Sequence, residues 1–127
     1  YAGGCIYALA VAPDGQCILS DDLDGTVKLW LLGEDLYSHG VRRVSTFSEL
    51  HTNVVKALVA LPDNQHALSA STDKTVKLFN FDGAVLRTFK HHTDEVVCLA
   101  LLPDGLRFVT GSGDTTARIV YHGLAPQ

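Results

Sequence analysis

The chain has 127 residues, a hydrophobic fraction of 46% and a formal net charge of −4. That apolar content supplies a core and excludes a disordered chain. The ten basic residues are scattered, with Arg42-Arg43 the only adjacent pair, which argues against a nucleic-acid partner held by phosphate contacts. The three cysteines, Cys5, Cys17 and Cys98, form no Cys-x-x-Cys pair. Neither a disulfide framework nor a zinc knuckle is expected, and a reducing compartment, cytoplasmic or nuclear, is the simplest intracellular setting. No apolar run is long enough for a bilayer, so no membrane partner is expected. The chain contains no Met, so Tyr1 reads as other than a native start and the chain as a fragment, an excised domain or a processed product.

Residues 5–11 read as a strand, and Ala12-Pro13-Asp14-Gly15 as a turn in which Pro sets φ and Gly supplies the permissive position. A second strand covers 16–20 and a third covers 26–31, ending at the only Trp. Residues 32–43 are polar and irregular and read as a loop insertion, with Val44 to Phe47 a short fourth strand. The next unit opens at His51-Thr52-Asn53. It continues with strands at Val54 to Leu61, 65–69, 75–80 and Ala84 to Phe89, turning at Pro62-Asp63-Asn64 and at Asp82-Gly83. The last opens at His92-Thr93-Asp94, with strands at Glu95 to Leu102, 106–111 and 116–121. The residues after Tyr121 are too short and turn-rich for a fourth strand.

The units are copies. Ile18-Leu19-Ser20 leads to Asp24-Gly25-Thr26-Val27-Lys28-Leu29-Trp30, Ala67-Leu68-Ser69 to Asp73-Lys74-Thr75-Val76-Lys77-Leu78-Phe79, and Phe108-Val109-Thr110 to Asp114-Thr115-Thr116-Ala117-Arg118-Ile119-Val120. Pro62 to Pro103, His51 to His92 and Asp73 to Asp114 are each 41 residues apart. Pro13 to Pro62 and Asp24 to Asp73 are each 49 apart, so the first unit carries eight extra residues, which fall in the 32–43 loop. A period near 40 marks a repeat architecture.

On these residues the chain resembles the WD-repeat β-propeller family. The resemblance implies an all-β fold of three consecutive propeller blades in an incomplete ring. Each blade is a four-stranded antiparallel sheet, the last lacking its outer strand. The whole chain, 1–127, reads as one partial propeller, with blades at about 1–47, 48–89 and 90–123. In such blades His, Ser or Thr, Asp and Trp form a hydrogen-bonded set. Here Ser20, Asp24 and Trp30 carry it in the first blade, with Ala2 where His should stand. His51, Ser69 and Asp73 carry it in the second, and His92, Thr110 and Asp114 in the third, where Phe79 and Val120 replace Trp. The two His–Asp pairs are expected to stabilise the turns.

Repeated His and Asp residues also suit metal ligation or acid–base work. A catalytic constellation is normally unique in a chain, however, and these recur, so turn-locking clusters are expected instead. No Gly-x-Ser-x-Gly motif occurs, and Gly111-Ser112-Gly113 falls at a turn in the repeat register. No catalytic residue, metal or cofactor is assigned, and the chain is not expected to be an enzyme. Arg42-Arg43-Val44-Ser45 has the form of a basophilic kinase site, making Ser45 a candidate phosphorylation site beside an exposed loop. A solvated basic pair is the alternative. Cys98, in register with Ala8 and Ala57, is expected to occupy a small, packed position.

The resemblance further implies a non-catalytic scaffold that binds a protein or peptide partner. Its alternative is a substrate-recruiting accessory propeller in a multi-subunit enzyme complex, such as a ubiquitin ligase or a kinase or phosphatase assembly. The candidate binding face carries Cys5 and Tyr7, Val54 and Lys56, Glu95 and Val97, and also Leu23 and Thr72. Tyr7 and Leu23 are the expected anchors. Three blades do not close a ring, so the remaining blades come from a longer polypeptide or from a second copy as a homodimer.

Overall fold

The computed structural model describes residues 6–21, 25–32, 41–47 and 50–124, with the side chains of 41–43 left out. Eleven strands form among them: β1 (Leu9–Val11), β2 (Cys17–Asp21), β3 (Val27–Leu32), β4 (Val41–Phe47), β5 (Val55–Ala60), β6 (His66–Ser71), β7 (Val76–Asn80), β8 (Val85–Phe89), β9 (Val96–Leu101), β10 (Arg107–Ser112) and β11 (Ala117–Tyr121). They make three sheets, ordered β1-β2-β3-β4, β5-β6-β7-β8 and β9-β10-β11. Every ladder is antiparallel. The first strands gather side by side, β5 lying against both β1 and β9. The fold is therefore all-β, three successive propeller blades, the third with three strands among the described residues.

Turn chemistry sets the strand order. The turns after β1, β5 and β9 place Gly15, Asn64 and Gly105 at φ of 74°, 59° and 70°, a left-handed conformation that Gly and Asn adopt at least cost. The carboxylates before them lock these turns: Asp63 accepts from the Gln65 and His66 amides, and Asp104 from those of Leu106 and Arg107.

Alternation along the strands builds the two cores, each between neighbouring blades. Leu19, Val27, Leu29 and Phe47 meet Val55, Leu58, Ala67 and Phe79 in the first. Leu68, Val76, Leu78 and Phe89 meet Val96 and Phe108 in the second. Each fourth strand ends in a Phe that enters the next blade edge-on. Phe47 meets Phe79 at 5.7 Å between ring centroids, and Phe89 meets Phe108 at 5.2 Å, the edge-to-face geometry that aromatic quadrupoles favour.

Four expectations are corrected. The insertion does not run from 32 to 43, because β3 continues through Leu32 and β4 begins at Val41 rather than Val44. A register shift at Leu31/Leu32 lets the ladder resume as Leu32 opposite Val41. Ser45 therefore lies within β4, half-buried opposite Leu29, and not beside a loop. Among the described residues Cys98 is exposed, where a packed position was expected. The first strand is also shorter than expected, with residues 6–8 outside it.

Candidate protein-binding face

Two matching polar clusters brace one end of the blades. In the second blade, His51 is buried, its Nδ1 lying 2.9 Å from Asp73 Oδ2 and its Nε2 2.6 Å from Ser69 Oγ. A carboxylate only accepts, so Nδ1–H donates to Asp73 and Nε2 accepts the Ser69 hydroxyl proton. Asp73 also accepts from the Thr52 amide, from the Thr75 amide and from the Thr75 hydroxyl. The third blade repeats this geometry. His92 Nδ1 is 2.8 Å from Asp114 Oδ2 and Nε2 is 2.7 Å from Thr110 Oγ1, while Thr93 and Thr116 supply the remaining donors.

Electrostatics follow from these contacts. Burial is the main influence on His51 and depresses it below its ordinary 6.5, against the raising effect of Asp73. Burial pushes Asp73 up, but the Thr75 hydroxyl, His51 and the Thr52 amide outweigh it and hold the carboxyl below its ordinary 3.8. The Thr116 hydroxyl leads the bonds that hold Asp114 well below the usual carboxylate range.

The residue after each Asp turns the chain through left-handed backbone. Lys74 has φ of 77° and Thr115 of 72°, where the first blade has Gly25 at 89°. Such a conformation costs a residue with a Cβ about 1–2 kcal/mol, and the Asp side-chain bonds to the flanking amides hold it. Gly25 is tied to the next blade, since its carbonyl accepts from the His51 amide at 3.0 Å. A Cβ at this position would lie 2.0 Å from the His51 carbonyl oxygen.

The first blade is built differently. Trp30 Nε1 donates to Ser20 Oγ at 2.8 Å, while Asp24 lies outside the described residues. Asp21, which the sequence reading did not single out, is buried and accepts from the Tyr7 and Ala8 amides at 3.0 and 3.2 Å. Its register counterparts are Ala70 and Gly111, so the repeat gave no signal; a second Asp before the repeated one was the only hint. His122 was missed as well. It is buried, donates from Nε2 to the Gly105 carbonyl at 2.7 Å and accepts the Leu124 amide on Nδ1.

Two of the candidate binding residues meet across the blades. Tyr7 is 54% exposed, and Lys56 Nζ lies 3.9 Å from the centre of its ring. This cation–π contact joins the first two blades across the face. Thr72 is tied to Val54, whose carbonyl accepts the Thr72 amide at 3.0 Å, and the Gly113 amide donates to the Glu95 carbonyl at 2.9 Å. Glu95 and Val97 are exposed, whereas Val54, Lys56 and Thr72 are half-buried. Cys5 and Leu23 lie outside the described residues. Among the described residues no group of three or more His, Cys, Asp or Glu side chains is arranged to hold a metal ion.

The WD domain, G-beta repeat family matches the chain at residues 2–30, 36–80 and 83–120. Pre-mRNA-processing factor 17 of Saccharomyces cerevisiae is 31% identical over 121 residues, covering 90% of this chain and 24% of that protein. Protein groucho of Drosophila melanogaster is 27% identical over 114 residues, covering 89% and 15%. Guanine nucleotide-binding protein subunit beta of Solanum tuberosum is 28% identical over 123 residues, covering 90% and 32%. The chain thus spans about a third or less of the length of these relatives.

Proposed function

The chain belongs to the WD-repeat family, and on that premise we propose that it is a non-catalytic scaffold that captures a protein or peptide partner on the face carrying Tyr7 and Lys56. The carrying observation is the Tyr7–Lys56 stack, which bridges two blades on a surface whose turns are fixed by buried hydrogen bonds. An exposed aromatic ring with little freedom left to lose is the kind of group that dominates interface energy. One relative is by name a subunit, which agrees with work inside an assembly. Val97 extends the apolar part of the face and Glu95 supplies a charged rim, while Val54 and Thr72 shape its floor. Cys5 and Leu23 complete the proposed set. The setting is the cytoplasm or nucleus, in keeping with the unbridged thiol of Cys98. No helix among the described residues is long and apolar enough to cross a membrane.

Both ends of the blade stack belong to the same reading. Ile6, Val55 and Val96 share one register; the last two are buried against the preceding blade, while Ile6 is 57% exposed. Leu29, Leu78 and Ile119 share another; the first two are buried against the following blade, while Ile119 is 64% exposed. The two end faces are thus the two halves of an interface already made twice inside the chain, and further blades of the same type cover them.

The binding reading is tested with the double variant Tyr7→Ala, Lys56→Ala. Partner affinity should fall at least about tenfold, with the far-ultraviolet circular dichroism and the urea midpoint close to those of the parent. Unchanged affinity would move the binding site off this face.

A further inference from the structure

Of the five arginines, three have a Ser or Thr three positions on: Arg42 leads to Ser45, Arg43 to Thr46 and Arg107 to Thr110. An arginine before a hydroxyl is what a basophilic protein kinase reads, because its acidic residues bind the guanidinium. The fold separates the three hydroxyls. Thr110 is buried, with its Oγ1 2.7 Å from His92 Nε2. Ser45 is half-buried opposite the buried Leu29. Thr46 is exposed, as is Val44 two residues before it. Alternation along β4 accounts for the difference. Phe47 enters the core that holds Leu29, so Ser45 lies on the same side of the strand and Thr46 on the other.

The exposure of Thr46 belongs to its place on an outer strand. Thr88 is its counterpart in the second blade: β8 sets Thr88 opposite Lys77, as β4 sets Thr46 opposite Lys28. Lys77 and Thr88 lie on the side of the second sheet that Phe79 turns toward the first blade. Thr88 is exposed with that blade in place. It has Val85, not an arginine, three residues before it. Thr46 thus combines the exposure with the arginine, and Thr88 is a matched position with the exposure alone.

We propose that Thr46 is a phosphorylation site for a basophilic kinase that reads Arg43. The Thr46 hydroxyl attacks the γ-phosphorus of kinase-bound ATP. A P–O bond to Thr46 forms, the bond to the bridging oxygen breaks as ADP leaves, and the hydroxyl proton passes to the catalytic carboxylate of the kinase. β4 is already extended and pairs with β3 alone, so presenting it to a kinase breaks one ladder and not two. The product also fits the closed sheet. A phosphate brings about −1.5 to −2 charges. On Thr46 they stay in water opposite Lys28, within the reach of a cross-strand pair whose Cβ atoms stand about 4.5–5.5 Å apart. On Ser45 the same charge would have to return to the packed side of the strand, at the cost of its hydration. The proposal does not depend on the Tyr7 face.

The test uses the 127-residue chain and a peptide of residues 39–50. Each is incubated with ATP and the catalytic domain of calmodulin-dependent protein kinase II, and the sites are located by mass spectrometry. The peptide should be modified at both Ser45 and Thr46, since each follows an arginine at the same distance. In the chain, Thr46 should be modified at least about tenfold faster than Ser45, Thr88 or Thr110. Arg43→Gln should slow modification of Thr46 by at least about tenfold, with the far-ultraviolet circular dichroism of the parent. Ser45 or Thr88 modified in the chain as fast as Thr46, no phosphate on Thr46, or an unchanged rate in Arg43→Gln overturns the proposal. So does an equal preference for Thr46 in the peptide, which would mean that the fold plays no part in the choice.

Discussion

At the scale of single residues, stability concentrates in His51 and its partners. Removing the ring strands the buried Ser69 hydroxyl and the Asp73 carboxylate, so His51→Ala should destabilise the fold by about 2–3 kcal/mol, read from urea unfolding. The pH dependence has a defined sign. His51 in the fold resists protonation, so in the window below 6.5 the unfolded chain binds more protons and stability falls as pH falls. Asp73 has a depressed value, so its contribution is present above about 3.8 and is lost on further acidification. The urea midpoint should therefore decline from pH 7 to 5 and again below pH 4, and His51→Gln should flatten the first decline. An equal slope in that variant would remove His51 as its source. The repeat made His51, Asp73, His92 and Asp114 legible, because each recurs at a fixed distance. Asp21 and His122 have no like counterpart in the other blades, so their roles were hidden until the chain was folded.

At the scale of elements, alternation and turn residues announced every strand, and the described strands differ from expectation chiefly at their ends. The larger difference is at β4, where a register shift at Leu31/Leu32 carries the ladder beyond the point at which the polar stretch suggested a loop. Such a bulge depends on how two strands meet, not on either sequence alone. The Phe plugs were equally hidden: Phe47 and Phe89 read as ordinary strand ends, yet each reaches the neighbouring blade. Phe79 stands where the first blade has Trp30, and its packing against Phe47 replaces the indole's hydrogen bond. Phe79→Ala should cost about 3–5 kcal/mol and loosen both blades it joins. Hydrogen exchange would show this as lost protection in β3 and β7 together. Loss confined to β7 would mean that the blades are stabilised separately.

At the scale of the molecule, the register explains what the ends of the stack expose. Ile6, Leu9 and Ile119 are apolar because their counterparts are core residues, not because the surface there is decorated at random. The isolated chain should therefore self-associate as its concentration rises, measured by light scattering coupled to size exclusion. A discrete dimer would mean that two copies share one ring, and a broad distribution that blades add without closing. A single monomeric mass at all concentrations would contradict the proposal that these faces take further blades. The blade count and the repeat were legible in the sequence, whereas the Tyr7–Lys56 stack was not, since its partners are 49 residues apart and meet only once two blades pack.

The central claim is that partner capture belongs to that stacked face, and quantitative affinity purification from cells tests it most directly. Three forms of the protein should be compared: the parent, Tyr7→Ala with Lys56→Ala, and a control in which the exposed Val85 and Leu86 of β8 become Ser. The account predicts a set of proteins retained by the parent and the control and lost from the face variant at equal folded protein. The same set retained by all three, or lost from the control instead, would contradict it.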